Sequence, residues 1–171
     1  MPAKKTLGGR RSALDMLTRC HLRLDGVMTE LTAAIDDEDE DIVSESLAFL
    51  RGPYRRHVKD EELSIFPRLG PEHTEAVAKL VSEHREHEAL IDQLRSAWHL
   101  GNISTARELV RQLKRALNRH SQLEERKLWP SVAALSAGER LAARAEMRER
   151  RQKNGDRGGR RHRERRRYST R

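Results

Sequence analysis

The stretch HVKDEELSIFP, residues 57–67, returns later in the chain as HSQLEERKLWP, residues 120–130. Both stretches place two glutamates four and five residues after a histidine, and both end in an aromatic residue followed by proline. The same offset of 63 positions carries His21 onto His84. A repeat of this length relates one half of a domain to the other half. We therefore expect a fold built from two pseudo-symmetric halves.

Apolar residues and histidines recur with helical spacing in four segments of the chain. Steps of three or four residues place such positions on one helix face, which packs against the rest of the protein. No segment alternates with a period of two, so strands are not expected. The four stripes run from Leu14 to Leu31, from Val43 to Glu61, from Val77 to Trp98 and from Leu109 to Leu128.

Short connections join the four predicted helices. The acidic run DDEDED, residues 36–41, separates the first two, and residues 69–73 and 100–102 form the other turns. Pro67 and Pro130 are expected to stop the second and fourth helices, because the residue before a proline avoids the α conformation. Short connections force neighbouring helices to be antiparallel. The predicted fold is therefore all-α, an antiparallel up-down-up-down four-helix bundle.

Local signals add detail to this bundle. Gly52-Pro53 lies inside the second helix, where proline removes a backbone hydrogen bond and should produce a kink that the fourth helix lacks. Ser136 and Glu139 have the spacing of a capping box and predict a short C-terminal fifth helix. The predicted organisation is a flexible N-terminal arm at residues 1–11, the bundle at 12–134, a short extra helix at 135–153 and a disordered Arg-rich tail at 154–171.

The positive charge of the chain is concentrated at its C-terminal end. The 171 residues carry a formal net charge of +8, but from Arg144 onward 13 basic residues face 4 acidic ones, so the rest is near neutral. Such a tail could neutralise nucleic-acid phosphates or an anionic surface, with the bundle as its scaffold. A solvated, solubilising extension is the simpler interpretation. Because every candidate site residue precedes Arg144, truncation there is expected to leave the site intact.

The composition also bears on the compartment. Cys20 is the only cysteine, so an intrachain disulfide is impossible and a reducing compartment is expected. The N-terminal MPAKKTLGGRR is not followed by the apolar stretch of a secretory signal. No apolar run is long enough to span a membrane. We therefore expect a cytoplasmic protein, and its oligomeric state stays open.

Histidine and glutamate occupy the inner stripes of the predicted helices. On a helix, residues four apart project from one face, about 6 Å apart along the axis. An unpaired buried carboxylate costs several kcal/mol, whereas metal ions bind neutral imidazole and ionised carboxylate directly. The sequence therefore predicts a buried metal site. The side chains predicted to converge there are those of His21, His57, Glu61, His84, His120 and Glu124.

The linked motifs resemble those of the hemerythrin-like, HHE cation-binding domain family. The resemblance rests on a histidine in the first and third helices and on HxxxE with aromatic-Pro in the second and fourth, and it covers roughly residues 12–131. It implies a non-haem site of two iron ions inside an antiparallel bundle. It further implies terminal ligation by His21, His57, His84 and His120, with Glu61 and Glu124 bridging the two metals.

The third helix departs from the pattern of the oxygen-carrying hemerythrins, which place a second histidine four residues after the first. Here that position is Glu88, and His87 comes one residue earlier. His87 continues the inward stripe and is predicted as a seventh metal ligand. Its repeat partner is Leu24, an ordinary core position, so a packed and hydrogen-bonded histidine is the alternative. Glu62 and Glu125, beside the proposed bridging glutamates, are interpreted as solvated surface residues.

Two other metal-site classes fit less well. Ferritin-like di-iron bundles use Glu-x-x-His on two helices, and this spacing does not occur in the sequence. Protein zinc sites usually stop at four ligands on one ion, whereas six or seven ligands suit a dinuclear site. An open di-iron site in a tight bundle would admit dioxygen, peroxide or nitric oxide, for sensing, redox protection or iron holding. The sequence leaves open which of these applies and whether the protein is an enzyme.

Overall fold

The computed structural model describes residues 12–155, a range that is helical and contains no strand. The first helix, α1, spans Ala13–Asp37. It begins with a capping box, in which the Ser12 hydroxyl accepts from the Asp15 backbone N–H and the Asp15 carboxylate accepts from the Ser12 N–H. It ends at Glu38, which adopts a left-handed conformation. The acidic residues that follow favour the start of the next helix.

The second helical rod, which we label α2, spans residues 40–68 and changes its winding along its length. Regular α-helical segments alternate with π-helical turns, which are frequent at functional sites. The predicted distortion at Gly52-Pro53 is present as the first π turn, because Pro53 has no N–H to donate. The segments are Glu40–Phe49 (α), Leu50–Tyr54 (π), Arg55–Asp60 (α), Glu61–Ile65 (π) and Phe66–Arg68 (3-10).

The remaining helices complete the bundle. A 3-10 turn at Pro71–His73 leads into α3, Thr74–His99, and then come α4, Ile103–Lys127, and the short α5, Trp129–Ala134. Pro130 lies in the first turn of α5, so it opens this helix instead of stopping α4 directly. Proline is tolerated there because first-turn N–H groups have no helical partner in any case. The predicted all-α, antiparallel four-helix bundle is confirmed.

The predicted C-terminal fifth helix is present as α6, which spans Ala137–Gly155. Its predicted capping box is confirmed, since Glu139 N–H donates to the Ser136 hydroxyl at 3.2 Å and the Glu139 carboxylate accepts from the Ser136 N–H. Ala143 and Met147 are fully buried against the bundle. The predicted N-terminal arm, residues 1–11, and residues 156–171 of the predicted tail lie outside the described residues.

The apolar core has two parts, with a layer of polar side chains between them. One cluster includes Leu31, Leu94 and Leu113 near one end of the bundle, and the other includes Leu17, Leu80 and Met147 near the opposite end. All buried histidines lie on the helices between these clusters. Within the described range, no helix combines the length and the apolar character that crossing a bilayer requires.

Candidate metal centre

The structure brings six of the seven predicted ligand residues together in the layer between the two apolar clusters. Each of the four bundle helices contributes: α1 and α3 one histidine each, α2 and α4 a histidine and a glutamate each. Every one of these side chains is buried, the most exposed being His21 at 6%. The residues are His21, His57, Glu61, His84, His120 and Glu124.

Each glutamate spans two histidines from different helices. Glu61 places one oxygen 2.9 Å from His57 Nε2, on its own rod, and its other oxygen 3.2 Å from His84 Nε2. The repeat produces the same arrangement in the other half. There the contacts are Glu124 Oε1 to His120 Nε2 at 3.4 Å and Glu124 Oε2 to His21 Nε2 at 3.2 Å.

The ligand atoms form two overlapping groups, and within each group they lie within 4.8 Å of one another. Both groups contain Glu61 and Glu124, so the two carboxylates are shared. The first group adds His21 and His57, and the second adds His84 and His120. Each group therefore combines imidazole and carboxylate atoms that could hold a metal ion.

Several of these buried atoms have no hydrogen-bond partner. Both carboxylate oxygens of Glu61 and both of Glu124 are unsatisfied, as is His21 Nε2. The histidine nitrogens approach the oxygens closely but without the alignment of a hydrogen bond. Buried polar atoms without partners are costly and therefore rare. Imidazole nitrogen and carboxylate oxygen together suit a divalent metal such as iron, so the donor set fits the predicted metal.

Two histidines of the second group face each other directly. His84 Nε2 lies 3.0 Å from His120 Nε2. A single shared proton could hold these nitrogens together in the metal-free protein, since a neutral imidazole has only one N–H. Alternatively, the Nε2 lone pairs of both rings would bind one shared metal ion.

The opposite ring nitrogens of three ligand histidines meet carboxylates, which we call the outer carboxylates: Glu62, Glu83 and Glu125. The contacts run from Nδ1 of His84 to Glu62 at 2.9 Å, of His120 to Glu83 at 2.8 Å and of His21 to Glu125 at 3.1 Å. Glu62, interpreted as a solvated surface residue, is largely buried, whereas Glu125 is exposed as expected but also contacts a histidine of the centre. A carboxylate on Nδ1–H keeps the proton there and leaves the Nε2 lone pair for a metal.

His57 is the exception among the four. Within the described residues, no carboxylate contacts its Nδ1. The residue that corresponds to Glu83 in the first half of the repeat is Cys20, and Cys20 lies beside His57 in a cavity wall. At this position of the repeat, a thiol stands in place of a carboxylate.

The aromatic residue in each copy of the repeated motif also has a place at the centre. The Phe66 ring stacks on His84 with a centroid distance of 6.1 Å, and the Trp129 ring stacks on His21 at 4.9 Å. Stacking of this kind restrains the imidazole planes and excludes water from one side of the site. This explains why both copies end in an aromatic residue.

His87, the seventh predicted ligand, lies beside the second group but is not part of it. Its Nδ1 is 2.9 Å from the Tyr54 hydroxyl, and its ring centre is 5.0 Å from that of His120. Burial, reinforced by the charges of His120 and His84, lowers the pKa of His87 to about 3. His87 is therefore neutral and hydrogen-bonded at physiological pH.

The electrostatics of the centre favour a bound cation. Burial opposes ionisation of Glu61, but the nearby His57 outweighs it and holds the Glu61 pKa well below its usual range. Burial likewise works against protonation of His21, yet Glu124 and Glu61 raise the His21 pKa to about 9. Without a metal, the two carboxylates therefore hold a proton on His21. A metal ion that binds here would displace that proton.

A buried ion pair supports the centre from outside and was not predicted. Asp60, adjacent to Glu61, is fully buried and is bound by Arg150 and by Arg151, whose Nη2 lies 3.0 Å from Oδ2. Arg150 also donates to the Ser64 hydroxyl at 3.0 Å. The sequence assigned both arginines to the charged C-terminal region. The signal that could have placed them is the spacing of Ala143 and Met147, whose helical stripe continues to residue 150.

The remaining acidic and histidine side chains are engaged elsewhere or exposed. His73 bonds to the Ser131 hydroxyl at 2.7 Å, and Glu88 pairs with Arg55 at 2.5 Å near the surface. His99 is exposed. None of these three belongs to either ligand group. His162 lies outside the described residues.

Comparison with known proteins adds the family. The family model of the hemerythrin HHE cation-binding domain matches residues 12–132 and, in a second match, residues 75–156. The first match covers all four bundle helices, and the second begins again at α3, in keeping with the internal repeat. No curated protein and no solved structure gives a significant match. With the first match covering well over half of its length, the chain belongs to the hemerythrin HHE cation-binding domain family.

Proposed function

We propose that this protein holds a non-haem di-iron centre that interacts with small ligands. The observation that carries the proposal is the sharing of Glu61 and Glu124 between the two groups of ligand atoms. His21 and His57 would bind one ion and His84 and His120 the other. The two carboxylates would lie between the ions, where their paired oxygens already reach toward histidines of both groups.

The ligand chemistry favours two ions over one. A single zinc ion is satisfied by about four ligands and would leave some of the buried imidazoles and carboxylate oxygens without a partner. Four imidazoles with two shared carboxylates provide four ligands to each of two ions. This count leaves coordination positions for a small molecule, since iron in such oxygen and nitrogen sites accepts more than four ligands.

The protein's own residues determine what can reach the centre. Phe66, Trp129 and the two apolar clusters exclude bulk water, and the outer carboxylates keep each Nδ1 proton in place. When bound, two iron ions supply redox chemistry toward dioxygen, peroxide or nitric oxide. We propose a role in sensing, redox protection or iron holding. The reduced protein should be oxidised by dioxygen rather than carry it reversibly.

His87 is proposed as the variable element of this site. Six residues suffice for the two groups, and Tyr54 already engages His87 Nδ1. Ligation by His87 would therefore use Nε2, while the Tyr54 hydroxyl orients the ring. Whether His87 adds a seventh ligand decides how many positions stay open for the small molecule.

The test of the proposed centre is a metal count on purified full-length protein. Protein produced with iron in the medium should contain about two iron ions per chain by mass spectrometry of the elements. Stoichiometric zinc without iron would overturn the proposal. Mixing anaerobic, reduced protein with dioxygen, peroxide or nitric oxide in turn, and following the optical spectrum, identifies the ligand. The alternative role, a scaffold for a nucleic-acid-binding tail, stays a prediction because residues 156–171 lie outside the described range.

A further inference from the structure

The two ligand groups differ in how firmly the outer nitrogens of their histidines are held. In the second group, His84 Nδ1 lies 2.9 Å from Glu62, whose side chain is only 19% exposed. Arg85 donates to both oxygens of Glu62, at 3.0 and 2.8 Å, and so fixes this carboxylate in place. His120 Nδ1 lies 2.8 Å from Glu83, which is 22% exposed. Both rings of the second group therefore have a largely buried carboxylate as acceptor.

The first group has weaker acceptors in the corresponding places. His21 Nδ1 lies 3.1 Å from Glu125, whose side chain is 46% exposed, so water competes for this carboxylate. His57 Nε2 faces Glu61 at 2.9 Å, and the hydrogen-bonding neighbour of the ring's other nitrogen is the thiol of Cys20. Sulfur is a weak hydrogen-bond acceptor. Neither ring of the first group is therefore supported as firmly as the rings of the second.

A contact from α6 fixes the position of the Cys20 thiol. Arg151 Nη2 donates to Cys20 Sγ at 3.6 Å and also to Asp60 Oδ2 at 3.0 Å. Asp60 is fully buried, so the guanidinium group is anchored beside the sulfur. Its N–H competes for the same sulfur lone pairs that accept from His57. Cys20 is thus held against His57, but it is a poorer acceptor than a carboxylate in that place.

We propose that Cys20 makes the first group the more weakly binding, exchangeable half of the metal centre. The proposal rests on the proposed di-iron function, because coordination through Nε2 leaves the proton on the outer nitrogen of each ring. A carboxylate that accepts from this N–H makes the imidazole a stronger ligand, and a thiol does so less. The ion that His57 shares with His21 is then the first to leave when metal is withdrawn. Cys20 acts through His57 and is a positioning residue, not a ligand.

The experiment is anaerobic titration of full-length, metal-free protein with ferrous iron in competition with a chelator, which gives the affinities of the two binding steps. In the wild type, the weaker step should be at least about tenfold weaker than the tighter one. Cys20→Glu places a carboxylate at the position that corresponds to Glu83 and should strengthen the weaker step by about 10–100-fold. The reciprocal variant, Glu83→Cys, should lower the overall affinity for two ions by a similar factor.

Two smaller variants separate hydrogen bonding from packing and keep the test decisive if Cys20→Glu does not fold. Cys20→Ser keeps an acceptor of similar size and should bind both ions as the wild type does. Cys20→Ala removes the acceptor and should weaken only the weaker step, by about tenfold. Two equal steps in the wild type, or equal binding by the serine and alanine variants, would overturn the proposal. A chain that takes up no iron overturns the proposed function, whereas two bound ions that are indifferent to the Cys20 substitutions overturn only this inference.

Discussion

The two HxxxE segments of this protein have the same motif in different surroundings. The α4 segment is regular α-helix from Ile103 to Lys127, whereas α2 contains two π turns, one of which begins at Glu61. His120 has Glu83 on its outer nitrogen, and His57 has only Cys20 nearby. The atoms that face the centre keep the symmetry of the repeat, and so do Glu62 and Glu125 behind His84 and His21. Only Glu83, behind His120, has no carboxylate as its counterpart. The α2 side therefore differs from the α4 side in its outer support, and it borders a cavity.

The two segments also differ at the residue before each glutamate. Asp60 precedes Glu61, but the corresponding residue before Glu124 is Leu123, which packs against the apolar core. A buried carboxylate requires a cationic partner, and α6 provides two arginines. The C-terminal helix thus completes the α2 half, while the α4 half needs no such addition.

The largest expected effect tests whether His57 and His120, which the repeat relates, contribute equally to metal binding. His57→Ala and His120→Ala should lower metal affinity to a similar degree, by more than about 100-fold, because loss of a ligand costs more than the roughly 10–100-fold loss expected for its outer partner. Metal per chain after dialysis, measured by elemental mass spectrometry, checks this. His73→Ala, whose ring bonds Ser131 away from both groups, is the control and should keep its metal. Full metal content in either ligand variant contradicts the pseudo-symmetric assignment.

The next largest effect is expected when the ion pairs of Asp60, which support only the α2 half, are removed. Replacing Arg150 and Arg151 together by alanine leaves the Asp60 charge buried and unpaired, which should cost about 3–5 kcal/mol of unfolding free energy. Urea denaturation measures the loss. The control is Arg148→Ala with Lys153→Ala, which removes the same charge from exposed positions of the same helix. An equal loss in both double variants would mean that net charge, not the Asp60 contact, is responsible.

The contacts of α6 argue against the expectation that a cut after Arg144 leaves the site intact. Such a cut removes Met147, Arg150 and Arg151, all of which contact the bundle. The spacing of apolar residues predicted the four bundle helices, and the in-phase histidines and glutamates predicted six residues that do meet. Contacts between side chains distant in sequence, such as Arg150 with Asp60, leave no periodic signal. The π turn at Glu61 has none either, since no proline or glycine marks it.

A third, smaller effect tests the outer carboxylates. Glu83→Gln and Glu62→Gln should each weaken metal binding by about 10–100-fold, because the amide no longer holds the Nδ1 proton as firmly. Glu125→Gln should cost less, since its side chain is 46% exposed and water already competes. Chelator competition gives the affinities. Glu88→Gln, whose carboxylate pairs with Arg55, serves as the control and should match the wild type. An unchanged affinity for the Glu83 variant would remove the distinction drawn between His120 and His57.

The smallest expected effect concerns His87, whose counterpart in the first half of the repeat is the core residue Leu24. Burial lowers the His87 pKa to about 3, so the folded protein keeps this ring neutral while the unfolded chain protonates it below about 6.5. The unfolded state then binds more protons, and stability from this group is lost as the pH falls from about 6.5 toward 3. At pH 5.5 the loss is about 1 kcal/mol.

Replacing His87 by leucine, the residue at the matching position of the repeat, should remove that loss of stability at low pH. His87→Leu alone would leave the Tyr54 hydroxyl buried without its partner, so the test combines His87→Leu with Tyr54→Phe, which replaces both partners by apolar groups. In metal-free protein, the difference in unfolding free energy between pH 7.5 and pH 5.5 should be about 1 kcal/mol smaller in the double variant, and Tyr54→Phe alone should keep the wild-type difference. The same variant decides the role of His87, because a ligand would take metal with it when removed. Unchanged metal content at pH 7.5 leaves six ligands, and loss of one ion makes His87 the seventh.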